Sequence, residues 1–273
     1  AIESVAVGSG VGALRLALYG LGGKPGTPGV GPAYSCVALA NAVLSFGARP
    51  VPVDCAPGEI NPDPVRMASV ARDIGANLAI VVHTFGQTMN VEPLLKDSIA
   101  VIEDCSHGMP WKVDRTAVPL ASSAAVMSFY ATKLIGGGEG GAVVSNDSTL
   151  LDLIRYARDY TDKKADGRRL NDKMNDLEAA LTCCQLDRLP TMIAARAECA
   201  ACYREMLNGV LGGRTDVIIP PELPGQVWYR YCVRLPGRNL DRVMDRMAQH
   251  GVKAERPVTL WINTVDFPEA GRA

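Results

Sequence analysis

Lys133 follows Ser128-Phe129-Tyr130-Ala131-Thr132 at the end of an apolar run and precedes Gly136-Gly137-Gly138-Glu139-Gly140-Gly141. Upstream lies a second run, Val101-Ile102-Glu103-Asp104-Cys105-Ser106-His107-Gly108. Most lysines are solvated surface groups, so a lysine alone says little. A carboxylate at a strand end, followed by a lysine held among glycines, is the pair a pyridoxal phosphate (PLP) site needs. The lysine forms the Schiff base, and the carboxylate keeps the pyridine nitrogen protonated.

The elements that must position these groups alternate. Glu3-Ser4-Val5-Ala6-Val7 predicts a strand, and the spacing of residues 11, 14, 18 and 21 predicts a helix from Val11 to Leu21. Strands are expected at 49–54, 78–83, 99–104, 124–129 and 142–145, with helices at 36–46, 64–74 and 91–95. Prolines 50 and 52 put the 49–54 strand near an edge. This alternation implies an α/β domain with a mostly parallel sheet flanked by helices. Ligands of such sheets bind at the carboxyl ends of the strands, where His83, Asp104 and Ser128 fall. From residue 150 the pattern changes to long helices, 150–159 and 176–204. A turn at Pro220-Pro221-Glu222-Leu223-Pro224-Gly225, a strand at 228–235 and an amphipathic helix at 239–250 follow. We divide the chain into a large domain, 1–190, and a smaller α+β domain, 191–273.

Gly8-Ser9-Gly10-Val11-Gly12-Ala13 fits the first half of a dinucleotide fingerprint. The second half, an acidic residue for the ribose, is missing: no Asp or Glu occurs between Ser4 and Val53. This counts against a nicotinamide-dependent oxidoreductase. Phosphate logic survives at Gly10, Val11 and Gly12, because a helix N-terminus favours an anion. A tight turn with no ligand is the plainer alternative.

Composition narrows the class. At 48% hydrophobic and 21% charged, the 273 residues can bury a large core. A net charge of −1 gives no basic stripe for nucleic acid. No apolar run reaches membrane-spanning length, and no secretory leader pattern is legible, although the chain begins at Ala1 rather than Met. Eight cysteines form no framework; Cys199 and Cys202 read C-x-x-C only inside a helical stretch. They are expected to be buried thiols rather than metal ligands, in a reducing cytoplasm. The Met and Cys residues at 174, 183, 184, 192, 199, 202 and 206 are read as helical packing, and His83 as structural.

The chain resembles the DegT/DnrJ/EryC1/StrS family of PLP-dependent nucleotide-sugar aminotransferases, of fold type I. The resemblance rests on ordered pieces: Gly8-Ser9-Gly10 with Ala13-Leu14; Pro32-Ala33-Tyr34-Ser35-Cys36-Val37-Ala38 with Asn41-Ala42-Val43; Gly47 to Asp54; and Val82-His83-Thr84-Phe85-Gly86-Gln87. It continues through Glu103-Asp104, Ser128 to Lys133, Gly138 to Val144, Leu170 to Asp176, Glu178-Ala179-Ala180 and Gln185-Leu186. It implies that Lys133 carries the cofactor and shuttles the proton, and that Asp104 pairs with the pyridine nitrogen. His107 falls near the phenolic oxygen, and Ser128 with the backbone of Gly10, Val11 and Gly12 holds the phosphate. Asn171 resembles the asparagine that reaches the phosphate of a partner subunit, which implies a homodimer with shared active sites. The implied substrates are a nucleotide-linked keto-sugar and an amino donor, L-glutamate. Val11 replaces a threonine common in the family, and Cys36 replaces an aromatic that stacks on the pyridine ring. The family's N-terminal helical segment and the usual end of the small domain are absent, so the chain is expected to be incomplete or a short member.

Each residue keeps a plainer reading. Asp104 also fits a helix N-cap, His107 a structural histidine, Ser128 a small core residue, and Asn171 a cap before a helix over 172–189. A PLP-dependent sugar dehydratase is a further alternative, against which Lys133 argues, since such relatives carry histidine there. A PLP-binding regulatory protein without turnover is another.

Overall fold

The computed structural model describes residues 2–108, 122–161, 169–211 and 213–258. Among the described residues seven strands form one sheet: β1 (Glu3–Val7), β2 (Pro28–Pro32), β3 (Arg49–Val53), β4 (Leu78–Val82), β5 (Ala100–Asp104), β6 (Ala124–Ser128) and β7 (Gly141–Ser145). Their order is β1-β7-β6-β5-β4-β2-β3. The pairs β3/β2, β2/β4, β4/β5 and β5/β6 are parallel, while β7 is antiparallel to both β6 and β1. The expected mostly parallel α/β sheet is therefore present, and β3, with its two prolines, is an edge strand as expected. Pro50 and Pro52 are two residues apart, so both direct their missing N–H away from β2.

The helices are α1 (Gly10–Gly20), α2 (Val37–Leu44), α3 (Pro64–Asp73), α4 (Glu92–Lys96), α5 (Ser148–Ala157), α6 (Asp176–Leu211) and α7 (Leu240–Gln249). Alternation along β4 separates two cores. Leu78, Ile80 and Val82 join Leu14, Leu18, Leu39 and Val43 on the face covered by α1, α2 and α5. Ala79 and Val81 join Met67, Ala71 and Leu94 on the face covered by α3 and α4. All five residues of β4 are buried, as a central strand covered on both faces requires.

Strand β2 was not expected from the sequence. Its Pro-Gly-Val-Gly-Pro has no apolar run, but Leu39 and Val43 of α2 pack where Gly31 and Gly29 lack side chains. The 228–235 segment, expected as a strand, is not one; only an isolated bridge joins Ile218 to Arg234. Its backbone is used elsewhere. The Trp228 and Tyr229 carbonyls accept from Arg196 Nη1 at 3.1 Å each, and Val227 N–H donates to Gly86 O at 3.3 Å. Helix α6 runs unbroken through Pro190 and so spans the expected boundary at 190/191. Residues of the expected small domain beyond 258 lie outside the described ones.

Candidate active site

Period-two alternation decides which side chains meet. Asp104 ends β5 and shares the parity of Ala100 and Ile102, which face α1. Ser128 ends β6 with the parity of Ala124 and Val126, on that same face. Helix α1 brings its N-terminus to this rim. A Cβ added to Gly10 would stand 2.6 Å from Ser128 Cβ and 2.8 Å from its Oγ. Only a residue without a side chain lets the helix end approach the serine this closely.

Ser9 caps α1, accepting the Gly12 N–H on its Oγ at 3.0 Å, and the Ser9 carbonyl accepts the Ala13 N–H at 2.9 Å. By helix geometry the N–H groups of Gly10 and Val11 then have no internal acceptor. Gly12, expected to offer its N–H as well, has given it to Ser9. The sheet-end rim thus holds a serine hydroxyl, two free N–H groups and the positive end of a helix dipole, a donor set that fits a phosphate.

Asp104 is buried, and its Oδ1 accepts the Ser106 N–H at 2.9 Å in a turn; among the described residues no helix starts after it for it to cap. Its neighbour Glu103 points to the opposite face. There His83 Nε2 donates to Glu103 Oε2 at 2.9 Å, and His83 Nδ1 accepts the Met89 N–H at 3.2 Å. Both ring nitrogens of His83 are therefore engaged, which fits its structural reading. The Glu103 carboxyl lies below its ordinary range: burial pushes it up, but hydrogen bonds from His83 and Ser122 pull it down further.

Lys133 sits in a tight loop between β6 and β7. Its N–H donates to Tyr130 O at 2.8 Å, and Gly137 N–H donates to Phe129 O at 2.7 Å. Gly137 is needed where α6 crosses the loop: a Cβ there would lie 2.2 Å from Thr182 Oγ1. Lys133 Nζ stands 5.4 Å from the centroid of the Tyr229 ring. That ring stacks on His107 at 4.6 Å, and Phe85 stacks on His107 at 5.7 Å. His107 Nδ1 accepts the Phe85 N–H at 3.2 Å. Burial first, then the charges of Lys133 and Arg230, push its pKa down to about 3. The ring is neutral at ordinary pH, with its remaining proton on Nε2.

Cys36 is exposed at the N-cap of α2 and shares a cavity of about 180 Å³ with His107. Asn171 is exposed. The segment carrying it is pinned to the start of α1: Gly8 N–H donates to Asp172 O at 2.7 Å, and Arg15 Nη2 holds both Asp172 carboxylate oxygens at 2.8 and 2.6 Å. It does not cap a helix over 172–189, because α6 starts at Asp176 with Glu178 N–H donating to Asn175 Oδ1 at 2.9 Å. The expectation of buried cysteines is also corrected. All eight are free thiols; only Cys105 is buried, and Cys36, Cys183, Cys184, Cys199 and Cys202 are exposed. Met174, just before α6, and Met192 within it pack against the cluster that holds Phe129, Leu134 and Leu189, but Met206 is exposed. Sequence reasoning missed Tyr229 and Phe85; the 228–235 segment read as a strand, which hid its aromatic residues.

Residues 1–262 match the DegT/DnrJ/EryC1/StrS aminotransferase family. The chain belongs to this family. A dTDP-3-amino-3,4,6-trideoxy-alpha-D-glucose transaminase of Streptomyces venezuelae is 32% identical over 249 residues, 87% of this chain and 64% of that protein. A pleiotropic regulatory protein of Geobacillus stearothermophilus is 28% identical over 247 residues, 87% and 66% of the two chains. The crystal structure of S. venezuelae DesV in complex with a ketimine intermediate aligns with a TM-score of 0.80 at 29% identity, covering 92% of this chain and 68% of that one. The chain thus spans about two thirds of the length of these relatives. Among the described residues, no helix is long and apolar enough to cross a membrane.

Proposed function

We propose that this member of the DegT/DnrJ/EryC1/StrS aminotransferase family transfers an amino group, from L-glutamate, to a keto-sugar carried on a nucleotide, with pyridoxal phosphate as cofactor. The observation that carries the reading is the convergence on one sheet rim of Asp104, Ser128, the free N–H groups of α1 and the Lys133 loop. The transaminase name of the Streptomyces relative supports the substrate class.

The bound cofactor supplies an electron sink for the carbanion formed when an amino acid loses its α-proton. Lys133 Nζ takes up that proton and returns it, acting as general base and then general acid. The Asp104 carboxylate holds a proton on the pyridine nitrogen. Gly10 and Val11 N–H and Ser128 Oγ bind the phosphate, and the loss of a threonine hydroxyl at Val11 leaves the backbone donor in place. His107, neutral, presents Nε2–H to the phenolic oxygen. Cys36 packs against the ring with less area than an aromatic would give.

The active unit in this reading is a homodimer. Asn171, exposed on a segment fixed by Arg15 and Asp172, is presented to the partner's phosphate site. Leu177 and Val210, 85% and 83% exposed on α6, are apolar surface for such an assembly. The free thiols fit a reducing cytoplasm. The second reading, a PLP-binding regulator without turnover, is favoured by the smaller ring contact at Cys36 and by the name of the Geobacillus relative.

A visible absorbance spectrum of the protein with pyridoxal phosphate, before and after L-glutamate and beside Lys133→Ala, tests the proposal. A Schiff-base band that fades with glutamate and is missing from the variant supports it. A band that ignores glutamate favours the regulator, and no band in wild type overturns the Lys133 assignment.

A further inference from the structure

His83 and Glu103 form a buried pair that the assignments above leave unused. Their face of the sheet is lined by Ala79, Val81, Val91 and Val101, so packing alone does not call for a carboxylate there. A buried carboxylate is costly unless hydrogen bonds hold it. What the pair holds is the turn that leaves β4. His83 N–H donates to Asp104 O at 3.3 Å, and His83 O accepts the Gly86 N–H at 2.9 Å. Gln87 N–H then donates to Thr84 O at 3.0 Å. The His83 ring spans this turn: Nδ1 accepts the Met89 N–H at the exit, and Nε2 ties the ring back to Glu103 on β5.

The turn needs holding. Phe85 and Gly86, its central residues, have φ of +55° and +88°. Two positive φ values mark a type I′ turn, a form dominated by glycine, asparagine and aspartate. A phenylalanine there is strained by its Cβ. Among the described residues only Ser98 shares a positive φ without being glycine. The strained form aims the Phe85 N–H at His107 Nδ1, 3.2 Å away, and lays the Phe85 ring within 14° of parallel to that imidazole. A right-handed φ at Phe85 would relieve the Cβ. Gly86 is fixed on the far side, its carbonyl accepting the Val227 N–H at 3.3 Å, so the change would fall on the peptide that carries the Phe85 N–H and turn it from His107.

We propose that His83 and Glu103 are positioning residues: the buried pair holds the 84–87 turn in its left-handed form, which keeps the Phe85 N–H on His107 Nδ1 and the His107 proton on Nε2. A ring nitrogen that accepts from a donor carries no hydrogen, so the partner of one nitrogen fixes the tautomer of the ring. The inference rests on the transaminase reading for the use made of Nε2–H; the tautomer itself is a property of the cofactor-free chain.

The chain has three histidines, so isotope-labelled histidine gives few enough signals for each ring to be assigned. Long-range proton–nitrogen NMR of the cofactor-free full chain at neutral pH reads which ring nitrogens carry hydrogen, and His107→Gln identifies the His107 signals. Wild type is expected to show His107 with hydrogen on Nε2 alone. Glu103→Leu unties the His83 ring and should bring both tautomers of His107 into exchange. His83→Asn, which keeps an acceptor for the Met89 N–H and loses the reach to Glu103, should do the same; this arm does not depend on the Glu103→Leu protein folding. Glu103→Gln, which still accepts from His83 Nε2, should keep the wild-type tautomer. Met67→Ala opens a cavity on the same face and is the control for general loosening. Hydrogen on His107 Nδ1 in wild type, an unaltered tautomer in both Glu103→Leu and His83→Asn, or the same exchange in Glu103→Gln or Met67→Ala overturns the inference. The absorbance band with pyridoxal phosphate is recorded separately on wild type. Its absence overturns the transaminase reading and leaves the NMR result standing.

Discussion

Replacing Gly10 with alanine tests whether the approach of α1 to Ser128 builds the anion site. The new Cβ would lie 2.6 Å from Ser128 Cβ, 2.8 Å from its Oγ and 3.2 Å from its Cα. Carbon atoms rest at about 3.5–4.0 Å, so the two elements must separate by roughly 1 Å. Rotation of the serine cannot relieve this, because its Cβ is fixed by the β6 backbone. Helix α1 cannot retreat freely either, since Leu14 and Leu18 are locked in the core below. Overpacking of this kind costs about 1–3 kcal/mol of folding stability. A donor moved by roughly 1 Å also leaves hydrogen-bonding range. Hydrogen bonds to a charged group are worth about 1.5–3 kcal/mol, so pyridoxal phosphate affinity should fall by roughly tenfold to a hundredfold. Gly12→Ala is the control, because its Cβ meets nothing closer than Ser9 Oγ at 3.2 Å and Gly12 N–H is already committed. Urea unfolding and absorbance titration with pyridoxal phosphate measure the two effects. Equal stability and equal cofactor affinity in the two variants would refute the reasoning.

Gly137→Ala puts a Cβ 2.2 Å from Thr182 Oγ1 and should cost about 1–3 kcal/mol, with most of the loss recovered by adding Thr182→Ala; additive losses in urea unfolding of the four proteins would count against the close crossing of α6 over the Lys133 loop. His107 gives a pH signature. With its folded pKa near 3 and an unfolded value near 6.5, the unfolded chain binds the extra proton between those limits. Stability contributed by the neutral ring is therefore complete above about pH 6.5 and falls by up to about 1.4 kcal/mol per pH unit as the pH drops toward 3. His107→Gln retains an acceptor for the Phe85 N–H and should flatten that part of the stability profile of the cofactor-free protein; unchanged slopes across pH 4–6.5 in urea unfolding would contradict a buried neutral histidine.

The parts of the fold legible in the sequence were those whose side chains carry the pattern. Strand β4 is Leu78-Ala79-Ile80-Val81-Val82, buried on both faces, and an apolar run of that length has few other uses. Strand β2 left no such trace, because its Gly29 and Gly31 are covered by residues that α2 supplies from elsewhere in the chain. The error at 228–235 has the opposite cause. Its residues suit a strand, but Arg196 and the loop at Gly86 take backbone groups of Val227, Trp228 and Tyr229. The cysteines of α6 misled because small apolar side chains at helical spacing are usually packed, and much of this helix has no covering layer among the described residues. Within the site, Asp104 and Ser128 could be found because each ends an apolar strand, and Lys133 because it lies between such a strand and a glycine run. Tyr229 and Phe85 could not, since their place against His107 comes from which loops meet at the rim.

Strand parity fixes which side chains reach the rim, whatever residues the chain carries at Val11 and Cys36. Asp104 and Ser128 face α1 because each lies an even number of residues from the core positions Ile102 and Val126. Glu103 is thereby turned to the opposite face, where His83 and Ser122 satisfy it. The rim is set by backbone registers, Val82 opposite Asp104 and Asp104 opposite Val126, rather than by contacts among the functional side chains. Substituting a side chain at such a rim changes one contact without moving the others. Val11 removes a hydroxyl and leaves the N–H it shares with every residue but proline. Cys36 leaves α2 in place and enlarges the space beside His107. In the proposed site the phosphate end rests on backbone N–H groups and is expected to be insensitive to Val11, whereas the Cys36 side rests on side-chain volume.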